Sequence, residues 1–87
     1  MKTIFETLEA REEKYGSFVS LAETAQFIKD AIKSGKNYNN LDTDMKETLD
    51  MLAHKIARIL NGDPFYIDSW HDIAGYATLV EERLRKL

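Results

Sequence analysis

The residues of this chain that could do chemistry gather around one turn. Lys55 and Arg58 lie on the approach to it, in His54-Lys55-Ile56-Ala57-Arg58-Ile59-Leu60-Asn61-Gly62-Asp63-Pro64, and Trp70, His71 and Tyr76 lie beyond it, in Asp68-Ser69-Trp70-His71-Asp72-Ile73-Ala74-Gly75-Tyr76-Ala77. Lysine and arginine satisfy phosphate or carboxylate oxygens, the opening amides of a helix favour an anion, and an indole or phenol ring stacks on a base. Those properties together describe a pocket for a small anionic, nucleotide-like ligand. Tyr38 and Lys29 are its outlying candidates; Tyr38 also reads as a loop tyrosine sealing the end of a helical core. The same hairpin has a purely architectural reading, in which Arg58 lies level with Asp68 or Asp72, an Arg–Asp pair fastens the turn, and Trp70 covers it. Both readings hold if the pocket forms between subunits.

Catalysis finds less to work with. His71-Asp72 with His54 upstream has the residue types of a helical metal-dependent phosphohydrolase, but such a site needs ligands from several helices, and Glu81 and Glu82 lie more than two turns further on. A helical nucleotide pyrophosphohydrolase builds its magnesium site from clustered carboxylates, because magnesium prefers hard oxygen ligands in near-octahedral array. Here Glu12-Glu13 is followed by Gly16 where a further acid is needed, and Asp68 and Asp72 have no acidic helix of the right pattern before them. Ser69 beside His71 lacks a glycine elbow, and neither Walker-type nor dinucleotide-type glycine loops occur. The expectation is a binding protein with no catalytic residues, no cofactor and no metal site of its own. The alternatives are a pyrophosphohydrolase-like enzyme completed by a neighbouring subunit's carboxylate, and a protein-interaction module that inhibits a host protein.

The elements that must position these residues are helices. Ile4, Phe5 and Leu8 recur at helical spacing over 3–14, with Glu9 and Glu13 placed for ion pairs along a solvated face, and Gly16 ends this first helix. Ser17 caps a second, whose stripe of Phe18, Leu21, Ala22, Ala25, Ile28 and Ile32 runs to about residue 33. Gly35 and a loop rich in Asn follow. A third helix begins at Asp42 and carries Met45, Leu49, Leu52, Ile56, Ile59 and Leu60 at spacings of three and four up to the Asn61-Gly62 stop. Pro64 bars its continuation, and Asp68 is the expected cap of a fourth helix over about 68–86. Gly75 inside that helix costs about 1 kcal/mol against alanine, for which a close helix contact is the simplest compensation. The fold expected is all-α: one domain, 1–87, of about four helices with a long antiparallel C-terminal hairpin.

Composition bounds the rest. Of the 87 residues 44% are hydrophobic and 31% charged, enough apolar matter for a packed core. A chain this short buries a small fraction of its surface, so self-association into a homo-oligomer is expected. The absence of cysteine excludes disulfides and thiolate zinc sites and suits a reducing compartment. The formal net charge of −3 argues against general nucleic-acid binding, which needs many phosphate contacts, while leaving room for a local cationic pocket. No apolar run approaches the roughly 20 residues of a membrane span, and Met1 to Glu6 lack a signal-peptide core. A cytoplasmic location is expected.

On the two hairpin segments quoted above, together with Tyr15-Gly16 and Gln26 with Lys29, the chain resembles a family of small proteins of unassigned function encoded by tailed phages and prophages. The resemblance spans most of the chain; where the family carries a tryptophan before its third helix, Tyr38 stands here. It implies phage origin, an accessory rather than a virion role, and action in the host cytoplasm. No catalytic residues come with it. Small helical phage proteins include oligomeric sponges that sequester cyclic-nucleotide signals of bacterial immunity, an analogy of size and context that suggests an anti-defence role.

Overall fold

A threonine and a serine start the first two helices in the computed structural model, which describes residues 2–87. Thr3 is extended, and its hydroxyl accepts from the Glu6 amide at 3.1 Å to open α1, Ile4–Tyr15; Ser17 does the same for Ser20 at 3.2 Å to open α2, Phe18–Lys33. Each satisfies an amide that the helix itself leaves without an acceptor. A single 3-10 turn, Tyr38–Asn40, leads to α3, Thr43–Asn61, and a short loop to α4, Ile67–Arg85. The described residues contain no strand, and the chain is an all-α bundle of four helices. None of these helices is long and apolar enough to cross a membrane.

Two expected caps work differently. Asp42 does stand at the N-cap of α3, but its carboxylate accepts from Arg83 instead of from the helix's own amides. At α4 the cap position falls on Tyr66, not Asp68, which lies inside the first turn and accepts from the Tyr66 hydroxyl at 3.0 Å. There its negative charge still suits the positive end of the helix dipole.

α3 is the axis of the molecule, with α2 and α4 packed along it and α1 touching α2 and α3 near the C-terminal end of α3. Its fully buried Ala53 and Ala57 let neighbours approach closely, and Ala57 joins Leu21, Ala25 and the half-buried Tyr15 in the core. At the end of α3 the approach is closer still. A Cβ on Gly16 would stand 2.0 Å from the Asn61 carbonyl oxygen, and one on Gly62 would stand 2.2 Å from that of Lys14. Gly16 also has φ +81°, a conformation costly for any residue with a side chain. The two glycines therefore do more than stop helices: they let the α1–α2 turn cross the end of α3. The Asp63 amide donates to the Lys14 carbonyl at 2.8 Å across that crossing, and the Asn61 side chain donates to Thr24 Oγ1 at 3.0 Å.

α3 and α4 form the expected antiparallel hairpin. Lys55 reaches Asp72 with Nζ–Oδ2 at 3.0 Å, and Arg83 grips Asp44 through two nitrogens while reaching Asp42 at 2.9 Å. Residues 44 and 55 are eleven apart, as are 72 and 83, and eleven residues make about three helical turns, so both ties obey one register. Met45, Leu49 and Leu52 face Ala77 and Val80 between them. In the turn, Asp63 Oδ1 accepts from the Phe65 amide at 2.9 Å.

The molecule measures 46 × 27 × 23 Å with a radius of gyration of 15.0 Å. A compact chain of this length has about 12 Å.

Candidate functional site

The seven residues expected at the site are dispersed over the molecule. Lys55, only 8% exposed, is committed to Asp72 on α4. His71 and Tyr76 line a shallow depression of 380 Å³ on α4 with Asp72, Gly75 and Leu79. Trp70 lies over the turn, as the architectural reading expects, its indole N–H donating to the Pro64 carbonyl at 2.8 Å. Tyr38 is half-buried at the far end of the bundle, with the Lys46 ammonium 5.1 Å from its ring centre. The turn therefore does not gather these residues into one pocket. Nor does Gly75 mark a close helix contact, since a Cβ there would meet nothing within 4 Å.

Arg58 goes the other way. The expected pair with Asp68 or Asp72 is absent: Asp72 is taken by Lys55, and Arg58, about 60° around α3 from Lys55 and one turn further on, meets α1 instead. Its guanidinium lies 4.2 Å from the centre of the Tyr15 ring, and that of Arg11 lies 5.3 Å from the same centre. Tyr66 meets Tyr15 edge-on at 5.9 Å and carries the Lys14 ammonium over its own ring at 4.9 Å. A guanidinium over an aromatic face is held by the ring quadrupole, which fixes its plane without neutralising its charge.

Arg11, Tyr15 and Arg58 wall a cleft of 260 Å³ between α1, α2 and α3, lined also by Leu8, Glu12, Gly16, Phe18, Leu21 and His54. Among the described residues the ion pairs are Lys55–Asp72, Arg83–Asp42, Arg83–Asp44 and Arg85–Glu81, so neither Arg11, Lys29, His54 nor Arg58 takes part in one. Arg58 Nε is buried without a hydrogen-bond partner. Asp50 Oδ1 is buried likewise, one turn before His54 on α3. The local field is visible in His54, whose pKa lies below its ordinary 6.5: burial is the first cause, followed by the charges of Arg58, Lys29, Lys55 and Arg11. Burial penalises the imidazolium, and each nearby cation penalises it further.

Such a cleft can hold an anion. Two oriented guanidiniums offer forked donors that match a phosphate or carboxylate, Phe18 and Leu8 supply an apolar edge, and a bound negative charge would relieve the field on His54. Glu12 is the one acid on its wall. Of the seven expected residues Arg58 alone lines this cleft; Lys29 stands outside it, though its charge, like that of Lys55, helps to lower the His54 pKa. Arg11, Tyr15 and His54 were not among them. The signal was present as spacing: Arg11 and Tyr15 are one turn apart before Gly16, and Asp50, His54 and Arg58 recur every fourth residue beside the core alanines.

Among the described residues no group of three or more His, Cys, Asp or Glu side chains is placed to hold a metal ion. Comparison with family models, with curated proteins and with solved structures returned no match.

Proposed function

We propose that this chain is a phage accessory protein, acting as a homo-oligomer in the host cytoplasm, that binds a small anionic, nucleotide-like ligand such as a cyclic-nucleotide immune signal and sequesters it without turning it over. The observation that carries the reading is Arg58, whose Nε is buried without a partner and whose guanidinium is held on Tyr15 beside that of Arg11 with no carboxylate against either. Unpaired buried donors are costly, and neither this guanidinium nor that of Arg11 forms an ion pair among the described residues, which leaves their charge for an outside anion. The aromatic and apolar rim suits a base or sugar next to the charged part. The residues assigned to the ligand are Arg58, Arg11 and His54, with Lys29 as a longer-range cation.

Isothermal titration of cyclic and linear nucleotides into the protein tests this. Heat with at least one of them, lost on Arg58→Ala and unchanged on Lys55→Ala, is the expected result, and recovery of the ligand intact after denaturing the complex is expected of a sequestering protein. Absence of heat across the panel overturns the proposal. Consumption of the nucleotide in the presence of magnesium or manganese overturns its non-catalytic part.

A further inference from the structure

The stripe of α1 that begins in the core does not end there. On a 3.6-residue period Ile4, Leu8, Arg11 and Tyr15 share one face, with Phe5 and Glu12 at its edge, an arc of about 120°. Tyr15 at one end packs against the core, but no residue of α1 is buried, and Ile4, Phe5 and Leu8 are 65%, 75% and 53% exposed. Phe18 and Val19, across the α1–α2 turn, are 76% and 67% exposed. A helix of 12 residues is marginal in water on its own and is ordered in proteins mainly by burying its apolar face.

The surface of the whole chain carries the same message. It amounts to 6576 Å², where a folded monomer of 10.0 kDa exposes about 5,200 Å². The excess of about 1,300 Å² is larger than the roughly 800 Å² that each partner contributes to a standard stable interface. The cleft is short of a site by a similar logic. Its 260 Å³ falls below the roughly 300 Å³ at which small-molecule sites begin, and Leu8 and Phe18, which edge it, belong to the exposed apolar surface.

We infer that a second copy of this chain packs on the α1–α2 apolar face, through Ile4, Phe5, Leu8 and Phe18, and that it closes the mouth of the cleft containing Arg11, His54 and Arg58. The self-association in this inference rests on the homo-oligomer of the proposed function, and the inference adds which face is used and what that contact does. Because the apolar stripe and the cationic cleft share one face of α1, a partner on Ile4, Phe5 and Leu8 necessarily stands at the mouth. Covering it removes water from around the guanidiniums, which strengthens their hold on an anion. A two-fold arrangement places two such clefts at one interface. Ligand affinity and assembly are then linked, each favouring the other.

Native mass spectrometry and sedimentation of the full chain, of Phe5→Asp and of Leu79→Asp test this, with helicity followed by circular dichroism. Phe5 is held by no contact that buries it within its own chain, so Phe5→Asp leaves α2, α3 and α4 folded. The expected result is a dimer or larger assembly for the parent chain and for Leu79→Asp, and a monomer of near-native helicity for Phe5→Asp. A parent chain that stays monomeric at all concentrations overturns the inference, as does an assembly that Phe5→Asp leaves intact. Nucleotide titrations run in parallel keep the two proposals apart: an assembly broken by Phe5→Asp upholds this interface even when no nucleotide gives heat. Where a nucleotide does bind, its affinity is expected to fall at least tenfold in Phe5→Asp; an unchanged affinity removes the closure of the cleft.

Discussion

Toward α4, the charged residues of α3 find partners: Lys55 meets Asp72, and Asp44 with Asp42 meets Arg83, in one register and with apolar side chains between. Toward α1 and α2, three residues from Lys55, Arg58 has a ring to lie on and, among the described residues, no ion pair, and His54 and Arg11 line the same cleft. Both flanks use cations on the same helix. On one flank charge is spent within the chain to set the alignment of two helices. On the other it is oriented and left unmet, which folding alone does not require and which an anion from outside would complete.

The joint between the flanks is the place to break both at once. Gly62→Ala puts a Cβ onto the Lys14 carbonyl and the Tyr15 backbone, so the α1–α2 turn must lift from the end of α3. A loss of about 3 kcal/mol or more in chemical denaturation is expected. A loss under about 1 kcal/mol would show that the crossing is loosely held.

The flanks themselves are separated by Lys55→Ala and Arg58→Ala. The first strips a buried stem and leaves Asp72 without its cation; because the Asp72 side chain is 42% exposed, water takes up part of the charge, and about 2 kcal/mol is expected. Arg58→Ala forfeits a cation–π contact but also relieves a donor without an acceptor, and about 1 kcal/mol or less is expected. Equal losses in the two variants would erase the distinction between a structural and an available cation.

The smallest effect is a pH dependence. Unfolded, His54 takes up a proton near its ordinary 6.5; folded, its depressed pKa delays that to more acid solution. In that window the unfolded chain carries the extra proton, so stability is complete above about pH 6.5 and is lost as the pH falls through the folded value. His54→Gln should flatten this part of a melting-temperature profile. An anion in the cleft should reverse the sign of the shift, raising the His54 pKa in an NMR titration, and an imidazole unmoved by a bound nucleotide would place that ligand elsewhere.

The helices were legible because period and punctuation agree. Thr3, Ser17, Asp42, Gly16 and Gly62 fall at helix ends in the structure. The hairpin of α3 and α4 follows from the spacing around Pro64. What a single sequence could not provide is the rotation of one helix against another. Lys55 and Arg58 lie on one side of α3, only about 60° apart, and which of them Asp72 meets is decided by how α4 and α1 are set around that side. Gly16 and Gly62 read as stops, which they are. Their second task, letting two turns cross, depends on residues 46 positions apart and leaves no local trace. Gly75 is the opposite case: its residue type suggested a close neighbour, and none of the described residues supplies one.

The crossing also bears on how the protein is made. On the ribosome α1 is complete long before Asn61, Gly62 and Asp63, the residues over which its end is fastened. Closing that long loop carries an entropic cost that α3 and α4, joined by a short turn, do not face. The hairpin can therefore align on its own ties while the earlier-made N-terminal segment waits, apolar and without a seat. A nascent chain of this kind has the end of α1 unfastened until residues 61–63 follow. On a polysome, many copies present that same segment side by side.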